Sequence, residues 1–334
     1  MLRDVNRSAP RPLDAWRRHW LDDAERLRAF ERLRLEWCLL EGDPPRPTRA
    51  AAVALASRAD QLADDGCRTA RYRLLLLGTP RLEIVGADGQ TREVRWRLRR
   101  ALWGVAFLAG RPHRQATKDE LIEALWPDDD PAAVARNFHP TLSDARRTVA
   151  RQGGDAQAIE FAEGVYRLAP PAAWWVDADE LERRIERASE QLPGLEPDRA
   201  GSQAIRGRIL EDLRQAWRLY RGPFLDGQRL RGAELDWIVT RREALRQRHL
   251  EVLRLVGELA ATVGREEIAR DAWRTLLLDE PFDEAAHLAV MRLDAQRGRR
   301  DLVRKQYVRL QDLLKELRVE PSPEARALYH RLMG

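Results

Sequence analysis

The hydrophobic and polar positions between Thr117 and Val149 alternate with the period of two amphipathic helices joined by an acidic turn. Leu121, Ile122, Leu125 and Trp126 fall on one helical face. Thr117 and Glu120 stand three apart just ahead of them, so hydroxyl and carboxylate can each satisfy a backbone N–H at the helix start. Pro127 cannot continue that helix, which limits it to about three turns. Beyond Asp128 and Asp129, Asp130 is placed to cap a second helix, and Pro131 suits its first turn, where a missing N–H costs nothing. The pattern predicts a helix-turn-helix. Its second helix carries Arg136, Asn137, His139, Thr141, Ser143, Arg146 and Arg147, side chains that hydrogen-bond phosphates or base edges. Pro140 lacks the N–H that would bond to Arg136 and predicts a kink or restart there.

Upstream, YRLLLLGTPRLEIVGADGQTREVRW alternates β-branched and polar residues around two turn signals, the pattern of a small antiparallel sheet. LRRALWGVAFLAGRP is an apolar helix stopped by Gly110 and Pro112. Downstream, AIEFAEGVYRLAP predicts a hairpin turning at Glu163-Gly164. Trp174-Trp175-Val176-Asp177 introduces a helix from about Ala178 to Gln191, and PGLEPDRAGSQ is a linker. Near the N-terminus, Trp16, Trp20, Leu27, Phe30 and Trp37 make a helical stripe, and after EGDPPRPT a second helix returns, which predicts a helical hairpin over 13–65. From Ile205 onward the pattern is helical and repeats. VGREEIARDAWRTLL overlies RGRRDLVRKQYVRLQ with Gly264 on Gly298, Trp273 on Tyr307 and Leu276 on Leu310, a shift of 34 residues, the tetratricopeptide period. Such helix pairs stack and leave a groove for a partner, near Trp273 and Tyr307. The expected organisation is a helical extension over 1–70, a winged helix-turn-helix over 71–177 and a helical repeat domain over 178–334. The fold class is mainly α with a small β component.

The order of sheet, helix, capped helix, LWPDDDP turn, long helix and GVYRLAP hairpin resembles the OmpR-like winged helix of SARP-type bacterial transcriptional regulators, over about residues 71–170. AWRLYRGPFLDG and the stretch from LLLDEPFDEAAHLAVMRLDAQRGRR to ARALYHRLM look like the bacterial transcriptional activator domain, with its tetratricopeptide-like repeats, that follows it in that family. The resemblance implies a DNA-binding transcriptional activator whose winged helix reads the major groove at promoter direct repeats. It also implies that the repeat domain contacts RNA polymerase, another protein or a second protomer, a homodimer included. Carried onto this chain, Arg114 and Lys118 become phosphate clamps beside the first helix, and Arg167 the contact made by the wing. Where many family members place a basic residue after the Ser of the second helix, this chain has Asp144. With Pro140, it leaves a second reading open, a protein-interaction scaffold on the same fold that has lost DNA.

Charge sharpens this picture only slightly. The formal net charge is +5, and over 71–170 there are 16 Lys and Arg against 13 Asp and Glu, a balance of +3, so a DNA-binding face must gather its arginines on one side. No run of eighteen apolar residues spans a membrane, and the first residues lack a signal-peptide core, which places the expected site of action in the cytoplasm. Cys38 and Cys67 show no metal or disulfide spacing, and the six histidines form no ligand motif. There is no GxxxxGK[ST] phosphate loop and no GxSxG elbow. Asp128, Asp129 and Asp130 lack calcium-loop spacing and fit a capped turn. The sequence therefore predicts no cofactor, no metal and no enzymatic activity.

Overall fold

The computed structural model describes residues 67, 69–86, 88–192, 202–229 and 235–334. The helical hairpin expected over 13–65 and most of the linker lie outside them. The described chain begins with three antiparallel strands, β1 (Tyr72–Leu75), β2 (Arg81–Val85) and β3 (Thr91–Glu93), and helix α1 (Arg99–Ala109). A short strand β4 (Gln115–Thr117) leads into α2 (Lys118–Leu125) and α3 (Pro131–Arg151), and β5 (Ile159–Ala162) and β6 (Val165–Leu168) form the hairpin. Strand β7 (Trp174–Val176) precedes α4 (Asp177–Gln191) and α5 (Ser202–Leu219). The repeats follow as α6 (Asp236–Thr262), α7 (Glu266–Asp279), α8 (Glu284–Gln296), α9 (Arg300–Glu316) and α10 (Pro323–Met333).

The local reasons are those the sequence contains. The Thr117 hydroxyl accepts from the Glu120 amide at 3.2 Å while the Glu120 carboxylate accepts from the Thr117 amide at 2.8 Å. The Asp130 carboxylate accepts from the Ala133 amide at 3.0 Å, with Pro131 in the first turn of α3. The wing turns at Glu163 (φ 53°) and Gly164 (φ 83°), both left-handed, as a two-residue hairpin turn of the primed type requires. In the repeat, Gly264 and Gly298 have φ 73° and 71°, and the bonds Arg265 N–H to Ala260 O and Arg299 N–H to Asp294 O sit 34 residues apart at the same helix end.

Two expectations need correction. Trp174, Trp175 and Val176 do more than introduce a helix: they form β7, which pairs in parallel with β1 and completes a sheet of order β3-β2-β1-β7. The Trp174 ring stacks on Tyr72 at 4.5 Å. Pro140 does not restart the second helix, since α3 runs unbroken from Pro131 to Arg151. Arg136 and Pro140 are both exposed, so the carbonyl left without an N–H faces water and its loss is tolerated.

One hydrophobic core runs from the winged helix into the repeats. The buried Asp177 carboxylate accepts from the amides of Leu76 (2.8 Å) and Leu77 (3.1 Å) and from the Arg221 guanidinium (2.7 Å), tying β1, α4 and the segment after α5 together. Burial pushes this carboxyl up from its ordinary value, opposed chiefly by Arg221. Trp237 of α6 donates its indole N–H to Ala124 O at 2.9 Å at the end of α2, and Trp103 of α1 donates to Gln228 at 3.2 Å. The helix-turn-helix is thus held from behind by the repeat domain.

Candidate nucleic-acid interface

Helix α3 buries Val134, Phe138, Thr141, Leu142, Ala145 and Val149 against the core. At about 100° per residue the opposite face carries Arg136, Ser143, Arg147 and Arg151, with His139 and Pro140 on either side of that line. Arg136, His139, Pro140, Arg147 and Arg151 are exposed. His139, Pro140, Ser143, Arg146 and Arg147 line an open hollow of about 600 Å³ on this face. Asn137 and Asp144 lie on the flank of the Arg136–Ser143–Arg147 line, and Asp144, about 20° around the helix from Arg151, borders the stripe at that end. Arg146 is at the other edge, where it donates to Ile159 O at 2.6 Å and lies over the Tyr166 ring at 5.8 Å. Together these fix α3 against the base of the wing.

Ion pairing sorts the basic residues of this module. Arg81, Arg92, Arg100, Arg111, Arg114 and Arg167 are each bound to a carboxylate, of Glu83, Asp88, Asp129, Glu120, Asp179 and Glu160 respectively. Arg136 and Arg151 on α3 have no carboxylate partner among the described residues, and neither have Arg95, Arg97 and Arg99 in the segment that enters α1. Lys118 is exposed at the start of α2, its ammonium 5.6 Å from the Phe138 ring centre, with Thr117 paired to Val165 of the wing beside it. The Thr117 amide and hydroxyl hold the Glu120 carboxyl at the helix start below its ordinary value.

A family model for the bacterial transcriptional activator domain matches residues 176–333. Over 233 residues the chain is 28% identical to the transcriptional regulatory protein MoaR1 of Mycobacterium tuberculosis, covering 69% of this chain and 70% of that protein. The MoaR1 of Mycobacterium bovis is equally similar. The chain resembles SARP-type bacterial transcriptional regulators and carries their activator domain over residues 176–333. The structure of Mycobacterium tuberculosis EmbR, solved in complex with a low affinity phosphopeptide, shares the regulator's fold with a TM-score of 0.60 at 21% identity. The match covers 79% of this chain and 65% of EmbR, so the regulator spans less than two thirds of that protein's length. DNA-binding transcriptional control is the function of the family's architecture, a winged helix followed by this helical domain.

Against that architecture, several residues expected to meet DNA or a partner sit elsewhere. Thr141 is 5% exposed and donates its hydroxyl to Asn137 O at 2.8 Å, a bond within the helix on its buried side. Arg114 is no phosphate clamp: it binds Asp179, Ala109 O at 3.2 Å and Trp174 O at 3.4 Å, and joins the winged helix to α4. Burial pushes the Asp179 carboxyl up, and Arg114 opposes this. Arg167 is bound across the hairpin to Glu160. Trp273 and Tyr307 are 6% and 7% exposed and form the repeat core, Trp273 against Gly257 and Tyr307 stacked on Tyr329 at 4.1 Å. They cannot line a groove for a partner. Arg151, absent from the residues expected at DNA, lies one turn beyond Arg147 at the edge of the stripe, and an i,i+4 step to the helix end finds it.

Proposed function

We propose that the regulator reads double-stranded DNA by laying the Arg136–Ser143–Arg147–Arg151 stripe of α3 into the major groove, with Asn137 and His139 at its edges and Lys118 on an adjacent phosphate. The observation that carries this reading is the stripe itself: exposed basic side chains with no carboxylate partner among the described residues, on the one face of α3 that the core leaves open. The scaffold alternative rested on Pro140 and Asp144. The unbroken helix favours DNA over it, as does the place of Asp144, beside Arg151 and off the Arg136–Ser143–Arg147 line. The reading extends to paired protomers on promoter direct repeats, and to contact of the repeat domain with a second protomer or with RNA polymerase. Its support is the shared core, through which a partner on the repeats would hold the helix-turn-helix rigidly. In this reading the protein acts in the cytoplasm as an activator, without catalysis. No helix among the described residues is long and apolar enough to cross a membrane.

The test is a gel shift at fixed salt with a duplex from the region upstream of its own coding sequence and a random duplex of equal length. Wild-type protein prefers the upstream duplex, and Arg136→Ala with Arg147→Ala removes about 1–3 kcal/mol from that preference for each base edge left unread. Equal binding to both duplexes by wild type, or undiminished preference in the double variant, overturns the reading.

A further inference from the structure

Three exposed arginines alternate along Arg95, Arg97 and Arg99, and the polypeptide that bears them is fixed to the end of α3. The Arg95 amide donates to the Gln152 side-chain oxygen at 2.8 Å, and the Gln152 amide donates back to Arg95 O at 3.1 Å. Gln152 is the residue that closes α3. Val94, just before Arg95, is buried and Trp96 packs against the core, which points Arg95 and Arg97 outward; Leu98 and Arg99 beyond them are both exposed. Arg95, Arg97 and Arg99 have no carboxylate partner among the described residues, although most neighbouring arginines do.

Helix α3 is long for a groove. Its 21 residues span about 31 Å, and a straight helix of that length cannot follow the curving major groove throughout, so one end must pass over a sugar-phosphate strand. The two ends are unlike. Asp128, Asp129 and Asp130 precede the first turn, where Arg100 neutralises Asp129, while Arg151 and the Arg95 end of the 95–99 segment lie at the last. Only the second end suits phosphate.

We infer that the 95–99 segment is a second DNA-contacting element, which grips the phosphate strand bordering the groove and reads no bases. This second element rests on the DNA reading of α3 above and adds a site to it. Gln152 acts as the latch that couples it to the reading helix, so that base recognition and phosphate binding keep a fixed register.

The test uses the full chain and fluorescence anisotropy on two labelled duplexes of about 40 base pairs, one from upstream of its coding sequence and one random, between about 0.05 and 0.3 M salt. The triple variant R95A/R97A/R99A weakens binding to both duplexes by the same factor, at least about tenfold at low salt. It also makes the slope of log affinity against log salt shallower by about 2–3, at roughly 0.9 for each phosphate no longer neutralised. The variant R95K/R97K/R99K keeps the slope, because phosphate neutralisation needs charge and not the guanidinium fork. An unchanged slope in the alanine variant overturns the inference, and so does a loss confined to the upstream duplex, which would mean base reading. Loss of binding in an R136A/R147A variant alongside an unaffected triple variant overturns this inference alone. If the wild type binds neither duplex, the reading of α3 falls and this one with it.

Discussion

Gly257 lies in the last two turns of α6, and a methyl group placed on it would come within 2.4 Å of Trp273 Cε2 and 2.6 Å of its Nε1. Carbon atoms prefer about 3.5–4.0 Å, so Gly257→Ala drives about an ångström of overlap into a rigid indole. Overpacking of this kind costs about 1–3 kcal/mol, and exchanging glycine for alanine inside a helix returns about 1, which leaves a net loss of up to about 2 kcal/mol. Trp273→Ala alone opens a cavity and costs about 3–5 kcal/mol. With the indole gone the new methyl enters empty space, so Gly257→Ala in that background is stabilising by about 1 kcal/mol. The same substitution changes sign with its neighbour. Urea unfolding of the four proteins, followed by far-ultraviolet circular dichroism, measures this coupling. An effect of Gly257→Ala that is the same with and without the Trp273 indole refutes the packing argument and would return Trp273 to an exposed groove.

Two further predictions separate structural roles from DNA-binding ones. Arg114→Ala lowers stability by about 1–3 kcal/mol, since it deprives Asp179 and two carbonyls of a donor, and leaves the DNA affinity of the folded protein within about twofold; a phosphate clamp gives the opposite result in anisotropy and unfolding measurements. His249 is stacked on Tyr220 with ring centres 3.9 Å apart, and burial pushes its pKa down to about 4. The neutral ring belongs to the folded state, so its contribution is complete above the unfolded value near 6.5 and is lost as pH falls toward 4. Between pH 7 and 5 the wild type should lose about 2 kcal/mol more than His249→Phe, which keeps the stack and cannot titrate; parallel losses in urea unfolding sink the assignment.

The capped start of α2, the Asp130-Pro131 start of α3, the Glu163-Gly164 turn and the 34-residue repeat were all legible in the chain, because each is decided by residues within a few positions of one another or by a period. From those local features the winged helix and its helical partner followed in their order, and with them the helix proposed to meet DNA. Which of its arginines are free to do so was not legible. Arg114 and Arg167 look the same in sequence as Arg97 and Arg151, and only the approach of Asp179 from α4 and of Glu160 from the neighbouring strand removes the first two. The parallel pairing of β7 with β1, the burial of Trp273 and Tyr307, and the latch from Gln152 to Arg95 arise the same way, through segments far apart in the chain. Periodicity determines which face of an element turns inward; what that face meets, and which charges the meeting cancels, is set by long-range packing that no local pattern encodes.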